Sequence, residues 1–230
     1  MSTFLDLCKS YRSEAGIPGS GPVTVINQTG ELERVVLDIQ TAEQDIKRQW
    51  QNWKFLWATH SANTIAGAAW LTVLKPADLG TWDTESVWID KGTDNAIQLD
   101  YVDYDEWRND QAVGTPVSDT PTEFTVLPNG EIRVYPIPTQ AQAFTGEYWS
   151  SAANNLAQDA DVSIIPVEYH RIIIVRAKII YAEREDAPEI MAGASVEYSD
   201  LLTGLEAAYL PGQGDGRQSR VIRPRVVRVE

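Results

Sequence analysis

The chain has a single cysteine, Cys8, among 230 residues, so it can form neither an internal disulfide nor a cysteine-built zinc site. Histidine is almost as scarce: His60 and His170 lie far apart, and neither has a second ligand nearby in the sequence. Long apolar runs are missing as well, and none approaches the ~20 residues of a membrane span. The opening MSTFLDLCKSYR carries acidic and basic residues where a signal peptide would be apolar, which predicts a soluble, unexported protein. There is no G-x-S-x-G elbow, no G-x-x-x-x-G-K-[ST] phosphate loop and no H-E-x-x-H. A Ser, His and Asp brought together only by folding stays open as an alternative. Cations are few: 19 Lys and Arg face 33 Asp and Glu, a formal charge of −14. Such a balance argues against a general nucleic-acid binder, which needs clustered cations to neutralise phosphates. The cations that exist are uneven. Residues 213–230 hold Arg217, Arg220, Arg223, Arg225 and Arg228 against Asp215 and Glu230, a net +3, which leaves −17 on residues 1–212.

What is present is enough apolar residue, 43%, to bury a core in one large domain or two small ones. The dominant pattern runs from about Thr29 to Thr59. Leu32, Val35, Val36, Ile39, Ala42, Ile46, Trp50, Trp53 and Trp57 fall three and four apart, which predicts one long helix with a single apolar stripe. Glu31 and Glu33 follow a Thr29 cap, and Lys47, Arg48 and Lys54 crowd the far end, so charge complements the helix dipole. Such a helix would be roughly 45 Å long and needs neighbours. Ile46, Trp50, Trp53 and Trp57 are its candidate residues for core or subunit packing.

Residues 3–15 predict a first helix, capped by Ser2 or Thr3 and stopped by Gly16 and Pro18. After Trp57 the chain breaks into short Trp-, Val-, Thr- and Tyr-rich segments between Pro, Gly and Asp. Strands are expected near Trp70–Leu74, Val87–Ile89, Glu123–Leu127, Glu131–Tyr135 and Phe144–Trp149, with a hairpin turning at Pro128-Asn129-Gly130. Between them Asp100–Asp110 reads as a short helix and residues 111–121 as a loop. Helical spacing returns after Pro166, through Ile172, Ile173, Val175, Ile179, Ile180 and Ala182, and again from Pro188 to Pro211-Gly212.

Asp100, Asp103, Asp105, Glu106 and Asp110 are the obvious candidates for a cation, but their spacing does not match a calcium loop, and at helical spacing they face water. No metal or cofactor site and no catalytic residue is assigned. Eight tryptophans beside carboxylates raise a carbohydrate-binding module or glycoside hydrolase as an alternative; three of them lie on the long stripe, where packing accounts for them. The tail begins Gly- and Gln-rich, then mixes Arg with Val and Ile from Val221 to Val229, the texture of an extended arm that can add to a partner's sheet edge. A terminus that stays unstructured is the alternative.

The order of these elements resembles the head-to-tail adaptor, or connector, proteins of tailed bacteriophages, over nearly the whole chain. The likeness rests on Trp50-x-x-Trp53-x-x-x-Trp57, Lys75-Pro76-Ala77-Asp78, Val87-Trp88-Ile89, Asp105-Glu106-Trp107, Tyr135-Pro136-Ile137-Pro138, Gly146-Glu147-Tyr148-Trp149 and Ile165-Pro166-Val167-Glu168-Tyr169-His170. It implies a virion part at the head–tail junction, made in the host cytoplasm: a ring, usually of about twelve subunits, between portal and tail or neck proteins. DNA would pass through its lumen without sequence-specific binding. It further implies that the arm reaches the portal, with Arg217, Arg220, Val221, Arg223, Arg225, Val226 and Arg228 as the contacting residues. A tail-completion or neck protein is the near alternative. The fold expected is α+β. A helical bundle of residues 1–59 and 165–212 surrounds the long helix, residues 60–164 form a β-rich insertion, and residues 213–230 an extended basic C-terminal arm.

Overall fold

A computed structural model of the chain describes residues 2–67, 72–73, 75–113, 117–151 and 156–211. It is a mixture of helix and sheet, and it divides into two compact units, Met1–Phe55 with Asn154–Glu230 and Leu56–Ala153.

The first unit is helical. Its first helix, α1 (Phe4–Glu14), starts with a capping box in which the Thr3 hydroxyl accepts from the Asp6 amide and the Asp6 carboxylate accepts from the Thr3 amide. Phe4, Leu7, Cys8 and Tyr11 recur by three and four and are buried. The second helix, α2 (Glu31–Arg48), buries Val35, Val36, Ile39, Ala42 and Ile46. Gly30, not Thr29, is its N-cap.

This helix stops at Arg48, which corrects the expectation of one helix through Thr59. No local breaker ends it. Instead the chain turns, and the Trp53 indole folds back so that its N–H donates to the Ile46 carbonyl at 3.3 Å. The Gln49 cap amide donates to the same carbonyl at 3.3 Å, so the indole adds a second donor at the helix's last turn while being wholly buried itself. A short 3₁₀ turn, Lys54–Leu56, follows.

The fourth and fifth helices in chain order, α4 (His170–Arg184) and α5 (Pro188–Tyr209), complete the unit. Pro166 precedes a 3₁₀ turn, Val167–Tyr169, so α4 begins four residues later than Pro166 suggests. Ile172, Ile173, Ile174, Val175, Ala177, Ile179 and Ala182 are all buried, which surrounds α4 with apolar contact, as befits a helix packed against α1, α2 and α5. Val175 and Ile179 meet Ala194, Met191, Tyr198 and Leu201 of α5.

The second unit holds two sheets. Its strands are β1 (Trp57–Asn63), β2 (Thr72–Val73), β3 (Leu79–Trp82), β4 (Trp88–Ile89), β5 (Ile97–Gln98), β6 (Asp100–Tyr101), β7 (Glu123–Val126), β8 (Ile132–Tyr135) and β9 (Ala143–Ser150), with α3 (Tyr104–Val113) between β6 and β7. In the first sheet β9 pairs along one edge with β1, from Trp57 opposite Trp149 to Asn63 opposite Ala143. Its other edge pairs with β4 and β3, and β5 continues beyond β4. The second sheet runs β2-β8-β7-β6, with β6 and β7 parallel. The β7–β8 hairpin turns where Pro128-Asn129-Gly130 predicts, with Gly130 at φ 82° and the Asn129 side chain accepting from the Glu131 amide.

One core serves both sheets: Trp82, Ile89, Phe144 and Tyr148 from the first, Phe124, Ile132 and Val134 from the second. Asp100 belongs to a strand and α3 runs to Val113, so the short helix lies later than its acidic spacing suggests. Trp57 opens β1 instead of closing a helix. Of the expected strand Trp70–Leu74, Thr72–Val73 forms β2, and Trp70, Leu71 and Leu74 lie outside the described residues.

Candidate functional site

In the helical unit, charge is arranged around α4. Arg171 ion-pairs with Glu14 of α1 and, at 2.7 Å, with Glu197 of α5. Arg176 reaches Asp45 of α2 at 2.7 Å, and Lys178 reaches Glu14 at 3.7 Å. Arg184 grips Asp38 of α2 with both terminal nitrogens, at 2.8 and 3.0 Å, and the Tyr11 hydroxyl donates to the same carboxylate at 2.6 Å. A helix with an apolar girth thus sends four cations to acids on three neighbours, which fixes its rotation as well as its depth. Burial and the Asp38 carboxylate push the Tyr11 hydroxyl well above the usual tyrosine range. The Arg171 guanidinium, bonded to Glu197, holds that carboxyl below its ordinary value.

A second polar group is fully buried. Lys47 Nζ lies 3.1 Å from Glu43 one turn away, and the Ser163 hydroxyl donates to the other Glu43 oxygen at 2.7 Å. This network ties α2 to the segment before α4. A lone buried charge there would cost several kcal/mol, so the pair and the hydroxyl are needed together.

The cysteine and the two histidines sit in different surroundings. The Cys8 thiol is pushed up to about 12, first by burial and then by the nearby Asp159 charge, which keeps it protonated and unreactive. His170 is buried with Nε2 2.9 Å from the Ile165 carbonyl, while His60 stands on β1 in the other unit, edge-on to Trp82. Among the described residues, no group of three or more His, Cys, Asp and Glu is placed to hold a metal. In the acidic cluster Asp103 caps α3 by accepting from the Asp105 amide at 2.9 Å, and Asp105 pairs with Arg108 at 3.4 Å, both well exposed. The Asp110 side chain lies outside the described residues.

The expected packing residues separate. Ile46 and Trp53 are buried, and Trp53 stacks on Phe55 with centroids 5.2 Å apart. Trp50 is 45% exposed and donates to Glu206 of α5 at 2.8 Å, whereas Trp57 is 40% exposed and donates to Glu147 of β9 at 3.3 Å. The four therefore form no single stripe. Trp82 and Trp107 are buried too, which leaves fewer indoles for a sugar platform. The arm residues Arg217, Arg220, Val221, Arg223, Arg225, Val226 and Arg228 lie outside the described residues. Sequence reasoning missed β1 altogether, because its seven residues WATHSAN carry little β-propensity beyond Trp57 and Thr59 and continue a helical spacing.

The β unit carries most of the acid excess. Residues 56–153 hold fourteen Asp and Glu against four Lys and Arg, a net −10. Asp78, Glu85, Asp94, Asp100, Asp103 and Asp119 are exposed.

The chain belongs to the SU10 adaptor protein family, whose model matches residues 2–228. That membership agrees with the resemblance to phage head-to-tail adaptors and makes the protein a phage adaptor with a structural role. No curated protein matches the chain. No helix among the described residues is long and apolar enough to cross a membrane.

Proposed function

We propose that the protein assembles into a ring of about twelve copies at the neck of the virion, between the portal and the tail. The family match over residues 2–228 carries this reading. The acid excess supports it: carboxylates lining a lumen repel phosphates, so DNA slides through without sequence-specific contact. One face meets the portal and the opposite face the tail or neck proteins. The basic arm, residues 213–230, supplies the docking element that an acidic body lacks, with Arg217, Arg220, Arg223, Arg225 and Arg228 meeting acidic or carbonyl groups of the portal while Val221 and Val226 pack against it.

The test is co-sedimentation with portal rings at low and high salt, using the full chain and a chain ending at Pro211. The full chain binds, and binds more weakly at high salt because charge-assisted contacts are screened. The shortened chain keeps its circular-dichroism melt and loses attachment. Unchanged affinity and salt dependence after truncation would place the docking surface on the body and refute the arm's role.

A further inference from the structure

Sheet edges expose unpaired amides and carbonyls, and proteins blunt them by keeping edge strands short, bulged, charged or interrupted by proline. Most edges of the β unit obey this. β2, β5 and β6 are two residues long, and β3 has a register shift between Leu79 and Thr81. β1 does not obey it. It stands at the end of its sheet and keeps unbroken register with β9 over seven residue pairs; it also contains no charged residue and no proline. From Ala58 to Asn63 its only backbone partner strand among the described residues is β9. Thr59, Ser61 and Asn63 are exposed on one face, and Ala58, His60 and Ala62 are half-buried on the other. Such an edge is a template for one more strand.

We propose that β1 is a strand acceptor and that its occupant is residues 221–229 of a second copy of this chain. The proposal rests on reading the arm as the adaptor's docking strand and gives that strand a seat before it meets the portal. Three observations select the occupant. Val221, Ile222, Val226, Val227 and Val229 are β-branched, and nine residues are enough to span the edge from Ala58 to Asn63; strand alternation puts Val221, Val227 and Val229 on one face, where they would extend the apolar face past the small Ala58 and Ala62. Pro224 and the arginines are the features that blunt an edge, so the added strand protects as an outermost strand what β1 leaves open. Charge is complementary, a net +3 on residues 213–230 against −10 on residues 56–153. The second copy is chosen over the chain's own arm because bodies of like charge repel, and an arm laid across to the next copy supplies cohesion where repulsion acts. Residues 212–220, with three glycines and two glutamines, supply up to about 30 Å of reach.

Hydrogen exchange read by mass spectrometry tests this without portal, so it fails independently of portal docking. Three proteins are compared near physiological salt: the full chain, the chain ending at Pro211, and the full chain with Val226→Pro and Val227→Pro, which keeps every arginine but removes two amide donors. At about 50 μM the peptide covering β1 is expected to exchange about tenfold more slowly in the full chain than in either variant, and at about 0.5 μM the difference disappears. Equal exchange in all three at both concentrations would overturn the proposal by showing the edge vacant. Protection that survives dilution would overturn it in favour of the chain's own arm. If the shortened chain fails to fold, the proline variant still decides.

Discussion

Trp53 and Trp50 are three residues apart and have opposite roles. The Trp53 indole is fully buried, stacked on Phe55 and bonded to the last turn of α2, so Trp53→Ala should cost about 3–5 kcal/mol. Trp50 is half exposed with its N–H on a half-buried glutamate, so Trp50→Ala should stay within about 1 kcal/mol. Urea denaturation of both variants checks this, and equal midpoints would refute the asymmetry. Glu197 sets a pH dependence. Its carboxyl is lowered from the ordinary 4.5, chiefly by the bond from Arg171 and against the opposing effect of burial; Asp6 is lowered from 3.8 by the Thr3 amide and hydroxyl. A depressed value means that the unfolded chain takes up more protons as pH falls. The stabilisation is therefore complete above the ordinary values and is lost on acidification through the depressed ones. Melting temperature should fall below about pH 4.5, and Glu197→Gln should flatten part of that slope. A variant slope identical to the parent's would remove Glu197 from the account.

Among the elements, β9 decides the β unit, because three strands take their register from it. Close approach is built in at Gly80, where an added Cβ would sit 2.9 Å from the Trp149 carbonyl oxygen and 3.0 Å from that of Ser150. Backbone cannot swing aside as a long side chain can, so Gly80→Ala should cost about 1–3 kcal/mol, visible as a lowered thermal midpoint. An unchanged midpoint would mean that β3 can move away from β9 freely. The hairpin was legible because Asn-Gly and the strand alternation are local signals; β3 was not, since Leu79-Gly80-Thr81-Trp82 is four residues with a glycine inside and owes its place to β9. Likewise α4 reads as helix from its spacing, while its cation partners on α1, α2 and α5 come from residues up to 157 positions away.

For the whole molecule, a body of −17 with an arm of +3 makes association depend on ionic strength. At the ~10 Å screening length of about 0.1 M salt, repulsion between bodies still acts across an interface, and at about 0.5 M it is largely gone. Self-association of the chain ending at Pro211 should therefore strengthen with salt, whereas portal docking of the full chain weakens. Sedimentation velocity across that range checks the first half. A ring of the shortened chain that is stable at nanomolar concentration and indifferent to salt would contradict it.

The sequence alone determined the features that are local or additive. These are the capped start of α1, the spacing that makes α4 and α5 helices, the Asn-Gly turn, the acid excess with its basic tail, and enough ordered motifs to point to an adaptor family. Tertiary structure alone decided where α2 ends and what Trp50, Trp53 and Trp57 do. Their three-and-four spacing is equally good in a continued helix, and no proline or glycine intervenes. The choice falls to contacts between distant residues: Trp53 gains complete burial and a carbonyl by folding back, and Trp57 to Asn63 gain a full ladder with β9, some ninety residues away. An energy set by partners so distant leaves no periodic trace in the segment itself.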